Sequence, residues 1–237
     1  MGFPGFSTKA VEWLKALPEN NNREWFQANK AIYESEVKEA MASLVTSLNE
    51  KLVERCPEYF QDQPVKAIFR IYRDTRFSKD KTPYKTHAGA VFPRRGLGEK
   101  ASGLYFQVAA AGVGVAGGAY MPPNDSLLAI RTKIAADHAF FLKLVNDKKL
   151  TKAMGTLQGD ALARPPKGFP ADHPAIDLLK KKQFYFWKEL PAALIAAKKL
   201  ETEILNCFES MRPVMLFLDD AVIAMRKKSA RSAEFLR

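Results

Sequence analysis

GVGVAGG, residues 112–118, carries the spacing G-x-G-x-x-G at Gly112, Gly114 and Gly117. In a doubly wound α/β protein such glycines follow a strand and open a helix whose first amides face a pyrophosphate. A strand pattern does precede them. The next residues, Tyr120-Met121-Pro122-Pro123, read as the end of a second strand and then a break, so no helix opens on the glycines. Asp137, twenty residues beyond Gly117, mimics the ribose-binding acid but falls in a helical pattern rather than at a strand end. A kinase glycine loop is also a hairpin, yet V-A-I-K, H-R-D and D-F-G are absent from the sequence. The glycines therefore read as a tight hairpin or a close backbone approach between strands at 104–110 and 113–121.

Upstream, Phe6-Ser7-Thr8 sets a staple residue before an N-cap. Val11, Leu14 and Leu17 follow at helical spacing, and Pro18 ends the helix. Asn20-Asn21-Asn22 offers a second cap. From it the apolar spacing predicts a long amphipathic helix through Trp25, Phe26, Ile32, Val37, Met41, Leu44, Leu48 and Leu52, so the chain opens on a helical hairpin. The period then changes. Residues 65–77, rich in branched and aromatic side chains, predict a strand, and 86–93 predict another.

Beyond the glycines, Pro122-Pro123-Asn124 begins a helix carrying Leu127, Leu128, Ile130 and Ile134. Residues 155–175, with Pro165, Pro166, Pro170 and Pro174, predict a long irregular loop of the kind that serves as a lid, a binding loop or a connector. A further strand is expected at 183–187. Two closing helices are expected at 191–211 and 213–228, each opened by a proline. The order gives a single α+β domain over residues 1–237, with a mostly antiparallel sheet of about five strands packed with helices.

Composition narrows the setting. The chain has 237 residues, 47% of them hydrophobic, enough for a sizeable core. Cys56 and Cys207 stand far apart in no ligand-like spacing, as expected of reduced thiols in the cytoplasm. The start lacks the charged and apolar regions of a secretory signal, and Phe6 breaks the myristoylation pattern. The run from Leu104 to Met121 has the length of a membrane span, but its glycines and alanines make it a hairpin instead, and no membrane partner is expected.

The net charge of +11 is concentrated. Residues 1–63 hold 7 basic and 10 acidic groups, residues 64–100 hold 10 and 3, and residues 226–237 hold 5 and 1. A field of that sign attracts phosphates, nucleic acids or acidic partners, unless the acidic N-terminal part folds against it.

The basic segment reads RIYRDTRFSKDKTPYKTH from Arg70 to His87. Guanidinium forks grip two oxygens at once and lysines add point charge, which suits phosphate or carboxylate. The candidate binding residues are Arg70, Arg73, Asp74, Arg76, Ser78, Lys81, Tyr84 and Lys85, with Arg131 assisting from a helix face it shares with Leu127 and Ile134. On a strand, Arg70, Tyr72, Asp74 and Arg76 would share one face. Asp74 and Asp80 would orient the arginines. If there is a reaction, Asp80 or His87 would carry the proton. The opposing reading is an ion-pair lattice that pins a loop. Two acids cannot neutralise so many cations, which favours a ligand.

Ser78-Lys79-Asp80-Lys81 matches S-x-x-K, but no S-D-N or K-T-G accompanies it. His87, His138 and His173 lack metal-ligand spacing, so no metal site is expected. No cofactor or oligomeric state is implied. The partner expected is an anionic small molecule, or else a nucleic acid held by the basic segment and the basic tail from Arg226.

Residues 73–87, R-D-x-R-F-S-K-D-K-x-P-Y-K-T-H, resemble the signature of the bacterial and fungal domain-of-unknown-function family 2461. Asn22-x-x-Trp25-Phe26, the Tyr105 strand, the segment from Gly118 to Pro122, Ile130-Arg131 and Lys167-Gly168-Phe169 extend the resemblance over nearly the whole chain. It implies one α+β domain whose site is the signature. It implies no reaction.

Overall fold

A computed structural model describes residues 2–234, so Arg237 of the basic tail lies outside the described residues. The chain forms α1 (Thr8–Ala16), α2 (Arg23–Ala28), α3 (Lys30–Ile32) and α4 (Glu39–Arg55), then strands β1 (His87–Arg94), β2 (Gly98–Ala109) and β3 (Gly112–Ala119). Helices α5 (Asn124–Ala136), α6 (His138–Val145), α7 (Lys148–Met154) and α8 (Ile176–Leu179) follow, then β4 (Phe184–Pro191) and α9 (Leu200–Glu234). The class is α+β. Among the described residues the sheet is antiparallel, with four strands in the order β1-β2-β3-β4 rather than the five expected. No helix among the described residues is long and apolar enough to cross a membrane.

The glycines of β3 are places where another backbone comes close. A Cβ on Gly112 would lie 2.4 Å from the Leu190 carbonyl oxygen. One on Gly118, at φ 136°, would lie 2.1 Å from that of Phe184. Any side chain at these positions would push β4 away, which explains the glycines without a nucleotide.

Contacts divide the chain into two compact units. One comprises Met1–Phe92, Tyr105–Val115 and Glu189–Asn206, the other Pro93–Leu104, Ala116–Lys188 and Cys207–Arg237. In the first unit, Ser7 caps α1 by accepting a bond from the Ala10 amide at 3.1 Å, and Asn22 caps α2 through the Trp25 amide at 2.9 Å. The expected long helix is broken after α2. Asn29 has left helical geometry at φ −108° and ψ 11°, and its side-chain amide donates to the Trp25 carbonyl at 2.9 Å. Its backbone N–H claims that same oxygen, at 3.0 Å. Such side-chain bonding competes with the helix ladder. A π-helical stretch, Tyr33–Lys38, then leads into α4, so the second arm of the expected hairpin is segmented. The breaks gather aromatic rings: Trp13 lies 5.6 Å from Trp25 and 5.1 Å from Tyr33, and Phe26 stacks on Tyr84 at 4.0 Å.

The strand expected at 65–77 does not form. Pro64–Ala67 is a 3-10 turn, as suits a proline at its first position. Beyond it the chain pairs with residues 84–90 only at isolated points, Ile68 with Ala90 and Tyr72 with Tyr84. Phe69 N–H donates to Gly89 O and Lys85 N–H to Ile71 O. Between those two bonds, Arg70 alone faces Thr86, His87 and Ala88. This two-residue bulge interrupts the ladder, and the side-chain alternation assumed for a regular strand does not hold through it.

Helix α9 runs through Pro213 as one helix, where two were expected. Phe208, Met211, Met215, Leu218 and Val222 are all buried and stay in helical phase across the proline. That continuous apolar stripe outweighs the roughly 3 kcal/mol an interior proline costs. The helix begins at Leu200, because Pro191 ends β4 and opens only a 3-10 turn, Ala192–Leu194. The 155–175 loop is irregular, as expected, and is tied down by bridges from Gln158 to Tyr185 and Ala161 to Lys181.

Candidate functional site

The signature segment folds as a loop with a closed neck. Arg73 N–H donates to Pro83 O at 2.9 Å, opposite the Tyr72–Tyr84 bridge, so residues 74–82 project as a loop. Asn21 fixes the base of this loop from outside the segment. Its side-chain amide donates to Tyr84 O at 2.9 Å, and its oxygen accepts from Tyr84 N–H at 3.1 Å. An asparagine side chain thus pairs with Tyr84 as a neighbouring strand would.

Two acids organise the loop. Asp80 accepts from the Thr82 amide at 2.9 Å, from the Thr82 hydroxyl at 2.9 Å and from Arg73 Nη1 at 2.5 Å. Arg73 also donates to the Thr82 hydroxyl and carbonyl oxygens. The Thr82 amide, then the Arg73 and Thr82 side chains, hold the Asp80 carboxyl at a pKa of about 2. Asp74 takes Arg76 as a fork, from Nε at 3.0 Å and Nη2 at 2.7 Å. Those bonds, with one from the Arg76 amide, hold its carboxyl below the usual range.

These pairings use up both acids of the segment. Arg70, Lys79, Lys81 and Lys85 keep no ion pair among the described residues, although Arg70 reaches Asp74 through space. Lys81 Nζ donates to the Thr75 carbonyl at 2.9 Å, which holds its charge in place without neutralising it. Lys85 sits over the Phe69 ring at 4.9 Å. Burial, and after it the Arg70 charge, press the Lys85 pKa down, and burial and Lys85 do the same to His87.

An open cleft of about 600 Å³ lies beside the loop, within the first unit. Thr75, Lys81, Thr82 and Pro83 form one wall, and Asn21, Asn22, Arg23 and Glu24 form the other. Arg23 has no ion pair among the described residues, so the cleft carries two uncompensated cations and one acid. Asn21, Arg23, Thr75 and Thr82 were not among the sequence candidates. The Asn20-Asn21-Asn22 run was the available signal, since one helix needs only one capping side chain.

The remaining candidates lie apart from that cleft. Ser78 is half-buried, in a turn closed by its amide to Thr75 O at 3.3 Å. Tyr84 is 2% exposed, with its ring stacked on Phe26, so it is part of the core and offers no stacking face. His87 opens β1 at the bulge. Arg131 belongs to the second unit, where it is buried and donates to Lys181 O at 2.9 Å. Its Nε is buried without a partner, and burial lowers its pKa. Residues 226–231 of the tail are exposed on α9, where Arg226 donates to Gly96 O at 2.8 Å. Among the described residues no three His, Cys, Asp or Glu side chains meet as a metal-ligand set.

The model of a family described as conserved hypothetical protein (DUF2461) matches residues 9–217. This chain is a DUF2461 protein. The matched region contains the whole signature loop and both walls of the cleft. No curated protein matches the chain, and no solved structure does. The DUF2461 assignment supplies a family and no activity, so function has to be argued from the loop itself.

Proposed function

We propose that this DUF2461 protein binds a phosphate- or carboxylate-bearing ligand at the signature loop, in the cleft lined by Arg23, Lys81, Thr75 and Thr82. The observation that carries this reading is that both acids of the signature segment are taken, while the cleft sets two cations against the single acid Glu24. Asp74 and Asp80 are committed to Arg76 and Arg73, while Arg23, Arg70, Lys79, Lys81 and Lys85 keep no ion pair among the described residues. Gathering like charges without partners is unfavourable, and an anion relieves it. Thr75 and Thr82 add hydroxyls at the cleft wall. The role is binding. The oxygens of Asp80 are engaged by Thr82 and Arg73. That makes Asp80 a positioning group rather than a proton carrier.

Calorimetric titration with inorganic phosphate and pyrophosphate at low salt tests this. Lys81→Ala and Arg23→Ala each remove one charge-assisted contact and are expected to weaken binding about tenfold or more. Lys148→Ala, in the second unit, serves as the control. Equal affinity in all four proteins, or no heat from either anion, overturns the proposal.

A further inference from the structure

Phe69 stands beside Arg70, Tyr72 beside Arg73 and Phe77 beside Arg76, three aromatic–arginine neighbours within nine residues. All three rings are exposed, Phe69 at 44%, Tyr72 at 47% and Phe77 at 95%. A lone exposed apolar residue needs no explanation. Phe77 is different, because its loop is not slack. The Arg76 amide bonds to Asp74, the Thr82 amide to Asp80, and Lys81 to the Thr75 carbonyl, so the backbone on both sides of Phe77 is tied down. A pinned loop thus holds a bare ring in water. The Arg76 guanidinium lies 5.8 Å from the centre of that ring.

Different anions would use this surface differently. An inorganic anion engages the cations and leaves every ring wet. A duplex offers phosphates, but its bases are stacked on one another. A single strand offers both phosphates and open base faces, and aromatic side chains interleaved with cations are the equipment that binds it without sequence preference.

We propose that residues 69–85 form a binding surface for single-stranded nucleic acid. Arg70, Lys79, Lys81 and Lys85 hold the phosphates, and Phe77 stacks on a base, with Tyr72 and Phe69 as further platforms. This rests on the anion-binding reading above and adds the class of ligand.

The test is fluorescence anisotropy on the full chain with a labelled oligothymidine strand, the matching blunt duplex and anionic phospholipid vesicles, alongside the pyrophosphate titration. The single strand is expected to bind more tightly than the duplex. Phe77→Ala is expected to weaken single-strand binding by roughly fivefold or more, with the salt slope unchanged. Lys81→Ala is expected to lower that slope by about 0.7. Phe77→Trp restores affinity and adds an indole whose emission is quenched by the stacked base. Because the Phe77 ring touches little of the core, these variants fold as the parent does, and circular dichroism checks it.

Unchanged affinity in Phe77→Ala, with loss in Lys81→Ala, refutes the stacking proposal and leaves the anion site standing. Pyrophosphate binding without oligonucleotide binding refutes the ligand class alone, and so does binding to vesicles without binding to oligonucleotide. Failure of every anion refutes both readings.

Discussion

Asn21→Ala tests the brace beneath the loop. The Asn21 side chain makes two bonds to the Tyr84 backbone, at 2.9 and 3.1 Å, and those groups have no other partner among the described residues. Each such bond nets about 1 kcal/mol, and more when its loss leaves a partly buried group unsatisfied. Truncation should therefore cost about 2 kcal/mol, or roughly 4–8 °C in Tm for a chain of this size. Urea unfolding followed by tryptophan emission suits the measurement, because Trp13 and Trp25 lie in the same unit as the brace. Asn21→Asp is the stricter control. It keeps an acceptor for the Tyr84 amide but sets a carboxylate oxygen against the Tyr84 carbonyl, so it should be no more stable than alanine. A change under about 0.5 kcal/mol in Asn21→Ala, within the range of ordinary surface substitutions, refutes the reasoning.

The Asp80 carboxyl should titrate near pH 2 by carbon NMR. Its folded pKa is depressed, so its stabilising contribution is present above the ordinary carboxylate pKa and is lost as pH falls through about 2; a midpoint near 4 contradicts the Thr82 and Arg73 bonds. The His87 imidazole should titrate below 6.5, and Lys85→Met should raise it part of the way back, since burial remains. No movement in Lys85→Met removes Lys85 from the surroundings of His87. Gly118→Ala should cost several kcal/mol or abolish folding, because its Cβ meets the Phe184 carbonyl at 2.1 Å; near-parental urea stability refutes the close approach.

Part of the fold is legible in the sequence, and the line falls where local rules end. The Ser7 and Asn22 caps and the glycine hairpin follow from spacing alone, and the structure has them. The strand expected at 65–77 fails because composition shows β-forming side chains but not a bulge, which depends on what lies opposite. Pro213 looks like a boundary because its effect on its own turn is unfavourable, whereas the stripe that carries α9 through it is a matter of packing. At the candidate site, the inventory of cations is readable, but their pairing is not. Asn21 is 63 residues from Tyr84, and no periodicity connects them.

The bulge opposite Arg70 adds two residues, an even number. Tyr84 on one side of it and Ala90 and Phe92 on the other are therefore all buried, with the same parity. The reading frame of inside and outside survives the insertion. This gives the segment an unequal tolerance to changes of length. Deleting two residues from 86–88 would shorten the ribbon toward a regular hairpin and keep Tyr84 on Phe26. Deleting one would turn every side chain on one side of the cut to the opposite face, exposing either Tyr84 or the Ala90–Phe92 pair. Length variation at this point should therefore be tolerated in steps of two, so that the signature loop can be moved along β1 without being turned over.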